Sequence, residues 1–111
     1  MVTVVNLNKE KADKAVCRPT IYGNPFVLSP SGPYGFRVLT REDAILRFAE
    51  YFYSESRRDL RQRALLEIPD GSTIGCHCDP LPCHAHIIAG YLNWKRNYKW
   101  EGPKAVTKIY A

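Results

Sequence analysis

The sequence predicts a small α/β domain with a layered, Rossmann-like fold, in which helices flank a short, mostly parallel sheet. A β-branched run at residues 2–7 has the composition of a buried strand, and residues 72–78 form a second strand-like run. Apolar residues at helical spacing follow each of these runs. At 111 residues, the chain is large enough for one hydrophobic core and too small for two.

Three helices are predicted. The first begins after Thr40, whose hydroxyl is placed to cap the N–H of Asp43. Its apolar stripe consists of Ala44, Ile45, Phe48, Ala49 and Phe52. A second helix is predicted from about residue 56 to residue 67, with an inward face of Leu60, Ala64 and Leu65 and an arginine face of Arg57, Arg58, Arg61 and Arg63. The third begins near Pro82 and buries Ala85, Ile88, Ala89 and Leu92.

The remaining segments are interpreted from their charge and turn content. Residues 9–14 are charged and are predicted to lie on the surface, and residues 20–22 form a short extended piece. Gly-Asn-Pro-Phe at 23–26 is a predicted turn, and residues 29–35 are a predicted loop. An edge strand is expected at 106–110. We place the α/β domain at 1–92 and a basic, aromatic extension, packed on or near it, at 93–111.

The formal net charge of +5 favours an anionic partner, such as nucleic acid, a nucleotide or a phosphate ester. No segment approaches the roughly 20 apolar residues that a membrane-spanning helix requires, and the N-terminal residues lack the pattern of a secretory signal. We therefore expect a cytoplasmic location and no membrane partner. In that reducing compartment, clustered cysteines are more often metal ligands or reactive thiols than disulfide partners.

Residues 76–86, here called the Cys/His run, hold three of the four cysteines and all three histidines. If residues 72–78 form a strand, Cys76 and Cys78 project from the same face. Cys83 then stands at the start of a helix, where the helix dipole favours the thiolate. The run therefore predicts a site at the carboxyl end of a strand, where open α/β sheets collect their ligands.

Three interpretations of the run remain open from the sequence. Cys76, Cys78, Cys83 and either His84 or His86 have the side chains of a tetrahedral zinc site, although their spacing matches no common zinc finger. Alternatively, a cysteine is a nucleophile with a histidine as its base, and Cys83 with His84 is the candidate catalytic pair. In the third interpretation the cysteines are small buried side chains and the histidines hydrogen-bond the turn.

Four residues outside the run are candidate ligand-binding residues. Gly23 and Asn24 belong to the predicted turn, where a backbone platform and a side-chain amide have the groups to recognise a ligand. Arg18 precedes the turn and suits a phosphate or carboxylate as a bidentate clamp. Arg41 lies near a helix N-terminus, where a cation opposes the dipole unless it meets an anion. The competing interpretation is an ordinary turn with surface charges around it.

Two basic surfaces are candidates for nucleic-acid contact. The arginine face has the composition of a solvated helix face as well as that of a phosphate-binding surface. The C-terminal segment interleaves lysines with Trp94, Tyr98 and Trp100, which suits base stacking but suits packing on the domain's own core equally well.

These features together resemble the domain-of-unknown-function family 4326, which occurs in bacteria and bacteriophages. The family has a Gly-Asn-Pro-Phe turn, matched by residues 23–26, and a Thr-Arg-Glu helix start, matched by residues 40–42. It also has a Cys-x-Cys-x-Pro-x-x-Cys-His element, matched by Cys76, Cys78, Pro80, Cys83 and His84. The similarity spans about residues 2–92. The chain departs from the pattern at His77, where tryptophan is frequent, and at His86, where an acidic or small residue is common.

The resemblance implies a compact α/β domain and is in line with a bacterial or bacteriophage source, with the host cytoplasm as the location if a phage encodes it. It also suggests that the turn at 23–26 and the Cys/His run face one pocket. We therefore expect binding of a nucleotide-like or other anionic ligand there, with or without catalysis in nucleotide or nucleic-acid metabolism. The alternative is a non-catalytic, zinc-stapled module that binds nucleic acid or a host protein through its basic surface.

Overall fold

The computed structural model describes residues 1–18, 20–27, 36–77, 81 and 83–97. The strands in these residues are β1 (Thr3–Asn6), β2 (Lys14–Ala15), β3 (Phe26–Val27), β4 (Phe36–Arg37) and β5 (Thr73–Cys76). The helices are α1 (Arg41–Tyr53), α2 (Arg58–Glu67), which follows a 3-10 turn at Glu55–Arg57, and α3 (His84–Asn97). The predicted small α/β fold is confirmed.

The main sheet has three parallel strands in the order β1-β5-β2. Ile74 of the central strand pairs with Val4 on one side and with Lys14 on the other. A separate parallel pair joins β3 to β4. Because the three strands run the same way, β1, β2 and β5 all end at one side of the sheet, which we call the carboxyl edge.

The hydrophobic core lies where the helices meet the central strand. Ile74 and Cys76 alternate with Gly75 along β5 and belong to the same buried cluster as Ile88 and Leu92 of α3. The aromatic rings of α1 complete this cluster, and Phe48 stacks on Phe52 with 5.7 Å between ring centroids. Each large apolar side chain removed from water in this way contributes about 1.5–3 kcal/mol to folding.

Gly75 lets the segment between β1 and β2 pass close to the central strand, on the face opposite to the one that carries Ile74 and Cys76. A Cβ atom at this position would lie 2.7 Å from Leu7 Cγ and 2.8 Å from Ala12 Cβ. Those separations are well below van der Waals contact, so only glycine admits the segment that leads from β1 to β2. The segment then reaches the start of β5, where Thr73 N donates to Asp13 Oδ2 at 2.8 Å.

The predicted helix signals are confirmed. Thr40 is the N-cap of α1, and its Oγ1 accepts a hydrogen bond from Asp43 N at 3.0 Å. The buried stripe residues are Ala44, Phe48 and Phe52 of α1, Ala64 of α2, and Ala85, Ile88, Ala89 and Leu92 of α3. Among the described residues, no helix has both the length and the apolar character that crossing a membrane requires.

Two short segments differ from the predictions. The sequence does not predict β2, which forms because reciprocal hydrogen bonds between Asp13 and Thr73 bring this segment to the edge of β5, and the Lys14 side chain keeps 36% of its surface exposed there. The extended piece predicted at 20–22 is wrong. It is a turn in which Gly23 N donates to Thr20 O at 3.0 Å, and this turn carries Tyr22 into the core at 1% exposure. The predicted loop at 29–35 and strand at 106–110 lie outside the described residues.

Helix α3 continues past residue 92, the predicted end of the domain. The side chain of Asn93 bonds both backbone groups of Val2, accepting from its N–H at 2.7 Å and donating to its carbonyl at 3.0 Å. Arg96 donates to the carbonyls of Leu65 and Ile68. Residues 93–97 therefore pack with the body of the domain, and residues 98–111 lie outside the described part of the chain.

Glu67 is the centre of a polar network that joins β2, the turn before β3, and α2. Its carboxylate accepts a hydrogen bond from Tyr22 Oη at 2.6 Å and one from Arg63 Nε at 2.6 Å, and Lys14 Nζ lies 3.4 Å away. The hydrogen bonds from Arg63 and Tyr22 lower the pKa of Glu67 from 4.5 to about 2. Burial and the same contact raise the pKa of Tyr22, so the phenol stays protonated and keeps donating.

We predict opposite effects from two glycine-to-alanine changes. Gly75→Ala should lower the free energy of unfolding by about 1–3 kcal/mol, because its Cβ overlaps Leu7 and Ala12. Gly90→Ala, at an exposed position inside α3 with open space around it, should raise this free energy by about 0.5–1 kcal/mol. Urea unfolding of both variants measures the difference. Equal effects would contradict the close approach of Leu7 and Ala12 to Gly75.

We predict that acid weakens the fold through Glu67. Because the pKa of Glu67 is lower in the folded chain, its carboxylate contributes stability above its ordinary pKa of 4.5, and that contribution is lost as the pH falls towards about 2. Glu67→Gln should therefore have a lower free energy of unfolding than the wild type at neutral pH. Between pH 4.5 and about 2, this free energy should change less with pH in Glu67→Gln than in the wild type. Glu50→Gln, which loses a carboxylate 3.8 Å from Arg47, is the matched control and should follow the wild type. Parallel pH profiles for the wild type and Glu67→Gln would contradict the prediction.

Candidate functional site at the carboxyl edge

His84, the first residue of α3, ties this helix to the end of β2. Its Nε2 lies 2.7 Å from the carbonyl oxygen of Val16, and its ring meets Phe48 edge-on with 5.2 Å between centroids. A carbonyl only accepts hydrogen bonds, so Nε2 carries the hydrogen and donates it. Burial lowers the pKa of His84, which keeps the ring neutral at neutral pH. His84 thus acts as a strut between sheet and helix.

Cys76 and Cys83 bring two sulfur atoms together at the same place. Cys76 is the last residue of β5, and Cys83 immediately precedes α3. Their Sγ atoms are 2.8 Å apart, and both side chains are buried. The strand-end and helix-start geometry predicted for the Cys/His run therefore brings these two thiols into contact.

His86 is the histidine beside Cys83. Its Nδ1 accepts the backbone N–H of Cys83 at 3.1 Å and lies 3.5 Å from Cys83 Sγ. An N–H at a helix start has no partner within the helix, and a side chain three residues on satisfies it here, as in a capping box. The candidate catalytic pair omitted His86, although residues three apart are neighbours on a helix surface.

The described geometry bears on the catalytic and zinc predictions in different ways. Nε2 of His84 is bonded to the Val16 carbonyl, and Nδ1 of His86 lies 3.5 Å from the Cys83 sulfur. Within residues 1–18, 20–27, 36–77, 81 and 83–97, no group of three or more Cys, His, Asp or Glu side chains is arranged to hold a metal ion. Cys78 lies outside these residues, so the zinc site stays a prediction.

Arg18 and Gly23, two of the predicted ligand-binding residues, contact each other. A Cβ atom at Gly23 would lie 2.7 Å from Arg18 Cγ and 2.9 Å from Arg18 Cα, so glycine is required for the close approach. Arg18 follows Val16 by two residues and is exposed, and its positive charge adds to burial in lowering the pKa of His84. The structure therefore places Arg18 near the start of α3.

Asn24 and Arg41 lie at the N-terminal end of α1. The Asn24 amide is engaged at both ends, since Oδ1 accepts from Phe26 N at 2.9 Å and Nδ2 donates to Ala44 O at 3.2 Å. These bonds fasten the turn to the first turns of α1, so the geometry gives Asn24 a structural role. Arg41 is the first residue of α1 and is half-buried.

Polar groups also link the ends of β1 and β5. The side chain of His77, just after β5, is exposed, and its Nδ1 lies 3.1 Å from Asn8 Oδ1. Asn8 N in turn donates to Asn6 Oδ1 at 2.9 Å. An open surface hollow of about 470 Å³ follows β1, and it is lined by Leu7, Asn8, Lys9, Glu10, Lys11 and Ala12. Lys9 and Lys11 give this hollow two cationic side chains.

The arginine face is engaged within the chain. Arg61 Nη1 donates to the carbonyls of Phe52 and Ser54 at 2.5 and 2.7 Å and so caps the end of α1. The Arg57 guanidinium lies over the Tyr51 ring at 4.7 Å. Arg58 pairs with Glu55, and Arg63 pairs with Glu67. Of the aromatic residues in the C-terminal segment, Trp94 lies near Tyr91 with 6.4 Å between ring centroids, and Tyr98 and Trp100 lie outside the described residues.

We predict that the three histidines differ in their importance for stability. His84→Ala should lower the free energy of unfolding by about 1–3 kcal/mol, because it leaves the Val16 carbonyl buried without its donor. His77→Ala, at an exposed position, should change it by less than about 0.5 kcal/mol. His86→Ala should fall between them, since it removes a cap at the start of α3. Chemical denaturation provides the measurement. A His84→Ala variant as stable as His77→Ala would show that the hydrogen bond from His84 to Val16 does not stabilise the fold.

Comparison with known proteins identifies the domain. A family model described as a domain of unknown function (DUF4326) matches residues 5–94. A protein of Enterobacteria phage T4, named as an uncharacterised 12.4 kDa protein in the nrdA-td intergenic region, is 36% identical over 90 residues, which are 81% of this chain and 76% of the phage protein. No solved structure matches the chain. The resemblance seen in the sequence is confirmed, and the chain belongs to the DUF4326 family.

Proposed function

We propose that this protein binds a small anionic ligand that carries a phosphate group, such as a nucleotide, at the carboxyl edge of its sheet. One observation carries the proposal. Gly23 packs against Arg18, two residues after Val16, which is bonded to His84, and the charge of Arg18 acts on the buried His84 ring at the start of α3. A cation and a helix start therefore converge at the place where parallel sheets bind their ligands.

The start of α3 supports an anion at this edge. The helix is 14 residues long and has no acidic residue in its first turn. Its aligned peptide dipoles place a partial positive charge at this end, although the N–H of Cys83 is bonded to His86 Nδ1 and the N–H of His86 to the Cys83 carbonyl.

Arg18 suits the recognition of phosphate in particular. A guanidinium donates two parallel hydrogen bonds to a phosphate or carboxylate, which gives both strength and orientation. The arginine face, in contrast, is engaged in ion pairs, a ring contact and a helix cap. The net charge of +5 favours the approach of any anion, and Arg18 offers an exposed guanidinium beside the turn at Gly23.

We predict that Arg18→Ala weakens binding of inorganic phosphate and of adenosine monophosphate by about tenfold or more, which corresponds to about 1.4 kcal/mol or more. Arg47→Ala is the matched control, because it removes the same charge from an exposed position on α1 where Arg47 pairs with Asp43. Isothermal titration at low salt, with uncharged adenosine as a second control, measures the effect. Equal affinity of Arg18→Ala and the wild type, or no binding of either phosphate compound, would overturn the proposal.

The same titration tests the nucleic-acid alternative. A single-stranded oligonucleotide that binds the wild type and Arg18→Ala equally, with a steep dependence on salt, would favour a basic module over a ligand pocket. Oligonucleotide binding that falls together with phosphate binding in Arg18→Ala would instead place both at the carboxyl edge.

A further inference from the structure

We infer that Cys76 and Cys83 are a peroxide-reactive thiol pair that closes to a reversible disulfide between the end of β5 and the start of α3. The inference rests on the contact between their sulfur atoms and on where the two residues stand. It is independent of the anion site, because a covalent bond is read out without any bound ligand.

The distance between the sulfurs favours a disulfide over a shared metal ion. The two Sγ atoms are 2.8 Å apart. Two thiolates on one tetrahedral zinc, each about 2.3 Å from the metal, would be about 3.8 Å apart. A disulfide bond is about 2.05 Å long, so closing the pair requires an approach of roughly 0.8 Å. The present geometry therefore needs less displacement to form the bond than to admit zinc between the sulfurs.

The burial of the pair determines the class of oxidant. Cys76 is 2% exposed and Cys83 is 4% exposed, so a bulky disulfide such as oxidised glutathione has little access. Hydrogen peroxide is nearly as small as water and reaches such sites more readily. Cys83 is the better placed first nucleophile, because His86 Nδ1 lies 3.5 Å from its sulfur and the start of α3 offsets part of the cost of a buried thiolate.

The chemistry balances with one equivalent of hydrogen peroxide. The Cys83 thiolate attacks one peroxide oxygen, the O–O bond breaks and hydroxide leaves, which makes Cys83 a sulfenic acid. The Cys76 sulfur then attacks the Cys83 sulfur, the S–O bond breaks, and the departing hydroxide leaves as water with the Cys76 proton. Two thiols and one peroxide thus become one disulfide and two waters, and two electrons pass from sulfur to oxygen. Dithiothreitol, added with a denaturant that exposes the buried pair, reverses the bond by exchange.

The test treats the purified, reduced full-length chain with a small excess of hydrogen peroxide and maps its peptides by mass spectrometry without reduction. We expect a mass lower by two hydrogen atoms, one bond joining Cys76 to Cys83, and full recovery of both thiols with dithiothreitol in denaturant. Cys17→Ser is the matched control, since it removes a half-exposed thiol outside the pair and should form the same bond. Cys83→Ser should form no such bond.

Several results would overturn the inference. These are a bond that uses Cys17 or Cys78, thiols that stay reduced, oxidation to sulfinic acid without a bond, and stoichiometric zinc that protects both cysteines. If Cys83→Ser fails to fold, the wild type and Cys17→Ser still decide the outcome, because both retain the pair. Failure of the anion proposal would appear only in the titrations with phosphate and leave this bond unaffected.

Discussion

The hydrogen bond from His84 to the carbonyl of Val16 is the interaction on which the carboxyl edge depends. It joins residues 68 positions apart in the sequence, and the imidazole that donates it is buried. Neither group can exchange this partner for water without opening the core, so the bond fixes the start of α3 against the end of β2. The positions of Cys83 and of Arg18 near this point follow from it.

Two glycines provide the space that this arrangement requires. Gly75 lets the chain between β1 and β2 cross the central strand closely, and Gly23 lets the turn close on Arg18. Near them, two side chains that look like ligand-recognition groups in the sequence have structural roles instead. Asn24 hydrogen-bonds to α1, and His86 caps α3. Within the part of the chain that the structure describes, an exposed arginine and a buried pair of thiols remain suited to chemistry.

The sequence predicts the parts of this site that depend on local pattern. The helix start at Thr40, the strand before Cys76 and the helix after Cys83 each follow from spacing and capping chemistry within a few residues. Strand β2 is two residues long and exists through the pairing of Asp13 with Thr73, 60 residues away, which no local pattern reveals. The role of His84 was likewise hidden, because its partner is Val16, whereas the cap that His86 forms on Cys83 is local and agrees with the interpretation in which the histidines hydrogen-bond the turn.

His84 is a neutral imidazole that carries its hydrogen on Nε2 and connects the start of α3 to the end of β2. A long-range proton–nitrogen NMR spectrum of the imidazoles, recorded as a function of pH, tests this claim most directly. It should show His84 as the Nε2–H tautomer at neutral pH, protonating only below the ordinary range of histidine as burial requires. A His84 ring with its hydrogen on Nδ1, or one that protonates in the ordinary histidine range, would contradict the account.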